Sequence, residues 1–166
     1  ENSMREQKVI VYCGEGKGKT AAALGYAIQS ASHGERVIII QFLKGKKSQE
    51  MEFLRRLEPE VKAFSFTRLG KDFAEMSEEE RQEEGMNIRN GFNFAKKVLV
   101  TGECSLLVLD DFLSLLNNGM VSQEDLEALM KARSEDTELI FTGRGMNEAL
   151  EAFAGKIYEI REESQI

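Results

Sequence analysis

Short, unbroken apolar runs alternate along this chain with longer stretches in which apolar residues recur every three or four positions. The runs are KVIVYC at 8–13, RVIIIQF at 36–42, SLLVLDD at 105–111 and ELIFTG at 138–143. Each is too short for a stable helix and most are rich in β-branched residues, so they predict buried strands. VKAFSFTRL at 61–69 alternates apolar with polar positions and predicts another strand; KIYEI at 156–160 predicts a sixth. Between them the period changes. Ala22, Ala23, Tyr26, Ala27 and Ala31 lie at helical spacing over 19–32, with His33 and Gly34 as the stop. QEMEFLRRL at 49–57 also reads as helical. Ser77 followed by Glu80 forms a capping box, and Ile88, Phe92, Ala95 and Leu99 continue one stripe behind it. Ser122 opens another helix, with Val121 and Leu126 placed as a hydrophobic staple. A short helix separates the last two strands.

Alternating strands and amphipathic helices predict an α/β fold of three layers: a mostly parallel sheet of about six strands flanked by helices. No internal repeat breaks the pattern, and 166 residues with a single proline suit one domain over 1–166. ENS before Met4 reads as a remnant foreign to the fold. Apolar residues make up 42% of the chain, yet no run approaches the length of a membrane span, so a cytoplasmic protein without a membrane partner is expected. The net charge of −7 disfavours general attraction to a nucleic-acid backbone, although KGKK at 44–47 is locally basic. Cys13 and Cys104 form no CxxC pair, and one histidine excludes a His-rich metal site. Phe92 belongs to the core stripe. Cys13, at a strand end, reads as packing rather than as a nucleophile.

The chemistry concentrates in CGEGKGKTAA at 13–22. A phosphate loop is spelled G-x-x-x-x-G-K-[ST], and here Gly18-Lys19-Thr20 supplies its end. Counting back, the first glycine belongs at Cys13 but stands at Gly14, so this loop is one residue short. Its context, strand then glycines then helix, is that of a main-chain anion nest. Gly14, Gly16 and Gly18 admit close approach of phosphate oxygens, and the helix starting at Lys19 adds its positive end. Lys19, rather than Lys17, is the better point charge, and Thr20 is placed for Mg²⁺. LLVLDD puts Asp110 and Asp111 at the carboxyl end of a buried strand, where ligands bind in open α/β sheets and where a carboxylate holds Mg²⁺. The two motifs together point to a nucleoside triphosphate site on a P-loop NTPase-like fold.

The stretches YCGEGKGKTAAALG, HGERVIIIQFLKG, LLVLDD and LIFTGRG, in that order, resemble the P-loop corrinoid adenosyltransferases, which act on ATP and cob(I)alamin or cob(I)yrinic acid a,c-diamide. The family loop, typically G-N-G-K-G-K-T-T, is also one residue short. The resemblance implies attack by Co(I) of a corrinoid on the 5′-carbon of ATP, with triphosphate leaving and the nucleotide lying reversed in its loop. It implies that Gly14, Glu15, Gly16, Lys17, Gly18, Lys19, Thr20 and Ala21 hold the triphosphate, with Lys19, Thr20 and Asp110 carrying the chemistry. Thr20, Asp110 and Asp111 would serve Mg²⁺. Gln41 and Lys44 of QFLKG and Arg144 of TGRG would line the same edge. A reduced flavoprotein electron donor and a homodimer are also implied.

The chain departs from that pattern at several points. Ala21 replaces the second threonine, Glu15 the asparagine, and Asp110-Asp111 an Asp-Glu pair. The family's GFTW segment corresponds to GKDFAEM at 70–76, where Phe73 is the candidate for the aromatic that faces the corrin; the chain has no tryptophan and ends in REESQI instead of the family's KHPY-containing tail. Two other readings therefore stay open: an ATP-binding regulatory module that has lost corrinoid chemistry, and a different P-loop NTPase.

Overall fold

The computed structural model describes residues 8–15, 17–42, 49–66 and 73–164. Six strands form one sheet: β1 (Val9–Cys13), β2 (Val37–Gln41), β3 (Val61–Ser65), β4 (Leu106–Asp110), β5 (Glu138–Thr142) and β6 (Lys156–Glu159). The helices are α1 (Lys19–Ser32), α2 (Gln49–Phe53), α3 (Glu78–Thr101), α4 (Phe112–Asn117), α5 (Gln123–Ala132) and α6 (Glu148–Glu151). The strand order is β3-β2-β4-β5-β1-β6, and every pairing is parallel. Every carboxyl end therefore lies along one edge.

The two faces of the sheet follow from the two-residue period of a strand. Ile10, Ile39, Val108 and Ile140 face one way and pack with Ala23 and Ala27 of α1 and Met51 of α2. Val11, Ile40, Leu109 and Phe141 face the other way, against Ile88, Phe92, Ala95 and Leu99 of α3 and against α4 and α5. Both faces are covered, so the central strands read as continuous apolar runs. The edge strand β6 is exposed along its length.

The predicted boundaries hold to within a few residues. The stretch at 49–57 is helical only to Phe53 and tightens into a 3-10 turn over Leu54–Leu57. Strand β3 ends at Ser65, and 67–69 lie outside the described residues. The Ser77–Glu80 capping box is realised, Ser122 opens α5 with Val121 and Leu126 buried in one cluster, and Asp125 completes a second capping box that the sequence pattern had not singled out. His33 ends α1, its Nδ1 lying 2.7 Å from the Gln29 carbonyl oxygen. Helix α4 has no counterpart in the sequence pattern. Phe112, Leu113, Leu115 and Leu116 are buried while Ser114 and Asn117 share the outer face, but six residues are too few to show a helical period in the sequence. Close packing is enforced at Gly91, where a Cβ would lie 2.7 Å from Phe42 and 2.9 Å from Phe66. Among the described residues no helix is long and apolar enough to cross a membrane.

Candidate nucleotide site

The site is built where β1, β4 and β5 end. Chain leaving β1 turns at Gly14, whose φ of 116° belongs to the region that favours glycine. A side chain there would also strike the Ile160 backbone beyond β6, with its nitrogen 3.0 Å from the added Cβ. The Gly14 amide donates to the Arg144 carbonyl at 2.8 Å, and the Ile160 amide donates to the Cys13 carbonyl at 2.8 Å. The loop is thus pinned between the segments that follow β5 and β6.

Gly18, at φ 109°, then starts α1 without a side-chain cap, and no acidic residue lies in the first turn of that helix. The contrast with α3 and α5 is direct, since both carry capping boxes with acidic first turns. The positive end of α1 is left to face an anion. Lys19 Nζ folds over the loop and donates to the Gly14 carbonyl at 2.7 Å.

Opposite the loop, β4 delivers Asp110, which is 2% exposed. Thr20 Oγ1 donates to Asp110 Oδ1 at 3.0 Å, Thr142 Oγ1 donates to the same oxygen at 2.7 Å, and Gln41 Nε2 reaches Oδ2 at 3.4 Å. Gln41 is fully buried, pairs in register with Asp110, and has its Oε1 unpartnered. Asp111 follows in the left-handed region, at φ 64°, and caps α4. Its Oδ1 accepts from Ser114 Oγ at 3.0 Å, and its amide donates to Thr142 Oγ1 at 2.8 Å. Between loop and acidic pair lies a cleft of about 300 Å³ lined by Lys17, Gly18, Lys19, Thr20, Asp110, Asp111, Thr142 and Arg144.

Most of the sequence-predicted residues converge here. Glu15 and Ala21 are exposed in the loop and first helical turn, and Arg144 is exposed on the cleft wall. Gly16 and Lys44 lie outside the described residues, as does the side chain of Phe73. Burial, and secondarily Glu159, pushes the Cys13 thiol above its ordinary pKa while Lys19 pulls it the other way. It stays protonated near neutrality, as suits a packing residue. Sequence reasoning missed Thr142. It stands in the TGRG motif at a strand end, so its position carried a signal, but a lone threonine there is ordinary until its neighbours in space are known. It also missed Asn117, which donates from Nδ2 to the Gly145 carbonyl at 2.9 Å and accepts from Asn147 Nδ2 at 3.1 Å, clamping the loop that carries Arg144.

The family model for ATP:corrinoid adenosyltransferase BtuR/CobO/CobP matches residues 5–165. The chain belongs to the ATP:corrinoid adenosyltransferase family. It is 29% identical over 153 residues to the corrinoid adenosyltransferase of Pseudomonas aeruginosa, covering 92% of this chain and 73% of that protein. It is 28% identical over 153 residues to that of Escherichia coli K12, covering 92% and 76%. To a Sinorhizobium corrinoid adenosyltransferase it is 25% identical over 154 residues, covering 92% and 71%.

Proposed function

We propose that this chain transfers the 5′-deoxyadenosyl group of ATP to the Co(I) centre of a corrinoid and releases triphosphate. The observation that carries the reading is the convergence of Lys19, Thr20 and Asp110 on one cleft, in a chain whose match to the adenosyltransferase family runs from residue 5 to 165.

In this reaction an electron pair on cobalt forms the Co–C bond while the C5′–O bond breaks and its pair leaves with triphosphate. The nucleophile is the substrate's own metal, so no protein base is needed. The protein's task is to hold the leaving group and fix the 5′-carbon in line. The Lys19 ammonium needs only to turn from the Gly14 carbonyl to meet a phosphate oxygen. Arg144, on the cleft wall, presents a forked guanidinium suited to the same chain of anions. The loop amides and the start of α1 supply the remaining positive field.

The donor set also fits Mg²⁺: Thr20 Oγ1 and the Asp110 carboxylate are hard oxygens already 3.0 Å apart, with Asp111 beside them. Bound there, Mg²⁺ would neutralise charge on the phosphate oxygens. The Thr20 hydroxyl can direct a lone pair to a cation while still donating its proton in a hydrogen bond to Asp110. In the same reading Gln41 and Lys44 border the nucleotide from β2 and the segment after it, Phe73 faces the corrin, a reduced flavoprotein provides the electron, and the chain works as a homodimer in the cytoplasm.

A second reading rests on the GKDFAEM segment, which has no tryptophan where the family pattern has one: an ATP-binding module without corrinoid chemistry. One assay separates them. Protein, Mg-ATP and chemically reduced cobalamin or cobinamide are mixed, and the light-sensitive spectrum of a cobalt–carbon bond is followed together with triphosphate. Both products support the transferase. ATP binding with neither product supports the module, and orthophosphate without corrinoid indicates a hydrolase.

A further inference from the structure

We propose that Thr142 is a positioning residue that sets the geometry of the Asp110-Asp111 pair, and through it the affinity of the site for a divalent cation. This inference rests on the reading of Thr20 and Asp110 as cation ligands, and it assigns a role to a cleft residue that is not one of the ligands in that reading.

Topology puts Thr142 in place. Strand β5 lies between β1, which leads into the phosphate loop, and β4, which ends in the acidic pair. Leu109 pairs with Phe141, and Tyr12 with Thr142, so Thr142 stands at the carboxyl edge between the two halves of the site. It is 2% exposed.

Its hydrogen bonds have only one possible direction. A backbone amide can only donate, so Thr142 Oγ1 accepts from Asp111 N at 2.8 Å. An ionised carboxylate can only accept, so the single hydroxyl proton goes to Asp110 Oδ1 at 2.7 Å. One side chain therefore fixes both the carboxylate rotamer of Asp110 and the main chain of Asp111. That main chain needs fixing, because Asp111 has a φ of 64°, a sparsely populated conformation for a residue with a Cβ. Thr20 shares the same carboxylate oxygen at 3.0 Å. Thr142 thus braces Asp110 from β5, between the acidic pair and the loop, while Gln41 reaches the other carboxylate oxygen from β2 on the far side. Outer partners of this kind tune metal affinity by about 10- to 100-fold.

The test compares full-length wild type with Thr142→Val, which keeps the shape and removes both bonds, and Thr142→Ser, which restores them. ATP affinity is titrated calorimetrically in EDTA and over a Mg²⁺ series. The expected result is a Mg²⁺ midpoint raised at least about tenfold in Thr142→Val, a loss of ATP affinity larger with Mg²⁺ than in EDTA, and recovery of the midpoint to within about twofold in Thr142→Ser. An unchanged Mg²⁺ midpoint in Thr142→Val overturns the inference, as does an equal loss with and without Mg²⁺. A wild type whose ATP affinity ignores Mg²⁺ overturns the cation reading itself, which keeps the two failures distinct. If Thr142→Val does not fold, Thr142→Cys keeps the volume with a weak donor and carries the same comparison under the same criteria.

Discussion

Thr20 and Asp110 meet through a hydrogen bond of 3.0 Å from hydroxyl to carboxylate, although one begins a helix after β1 and the other ends β4. The bond joins the phosphate-loop half of the site to the acidic half. If both groups serve one cation, their effects are coupled. Thr20→Ala and Asp110→Asn are each expected to weaken Mg-ATP binding, and the double variant to lose less than the sum by about 1 kcal/mol. A double-mutant cycle measured by calorimetry checks this, and strict additivity contradicts a shared cation.

Lys19 Nζ, 2.7 Å from the Gly14 carbonyl oxygen, is held over the loop by a main-chain acceptor. Exchanging that acceptor for a phosphate oxygen gains a charge-assisted bond. Lys19→Ala should therefore lower ATP affinity by about 2 kcal/mol, or ~30-fold, with little change in thermal stability. Equilibrium binding of a fluorescent ATP analogue reads this directly, and unaltered affinity would remove Lys19 from the site.

Gly14 carries a structural constraint beside the phosphate-binding role proposed for it. Its φ of 116° and the nearness of the Ile160 backbone leave no room for a side chain. Gly14→Ala should cost about 2 kcal/mol or more in urea unfolding and weaken ATP binding at the same time. Gly34→Ala is the control, since Gly34 also has a positive φ but no heavy atom within 4 Å of an added Cβ. It should cost only the conformational strain, about 1 kcal/mol, and leave ATP binding alone.

Away from the site, Asp125 accepts a bidentate bond from Arg89 at 2.8 and 2.9 Å and also closes the capping box of α5. Arg89, followed by the Ser122 amide and hydroxyl, holds the Asp125 pKa at about 2, below its ordinary 3.8, against the opposing effect of burial. A depressed pKa means that this stabilisation is present above pH 3.8 and is lost as pH falls through about 2. Asp125→Asn should destabilise the protein by about 1 kcal/mol at pH 7, and its deficit should shrink as the pH falls through that window. Urea midpoints of the two proteins at pH 7, 4 and 2.5 provide the check.

The sequence was informative wherever the deciding interaction is local. Ser77 and Glu80 sit three residues apart and close their hydrogen bonds within one turn of helix, so the pattern of letters is already the geometry. Gly18-Lys19-Thr20 works the same way, as did the acidic pair at the end of an apolar strand. Helix α4 escaped because its six residues make less than two turns, too few for a helical period to show. Thr142 escaped because a threonine at a strand end is ordinary until its neighbours are known.

From its letters alone, this chain shows its six strands, its long amphipathic helices and a glycine-rich turn from strand to helix, since period, caps and glycine placement act over a few bonds. Folding in three dimensions decided that β5 comes to lie between β1 and β4, that Gly14 is pinned by Arg144 and Ile160, and that Thr142 binds both aspartates. Those outcomes depend on which strands pack side by side, a choice made by the burial of both sheet faces at once and written in no single segment.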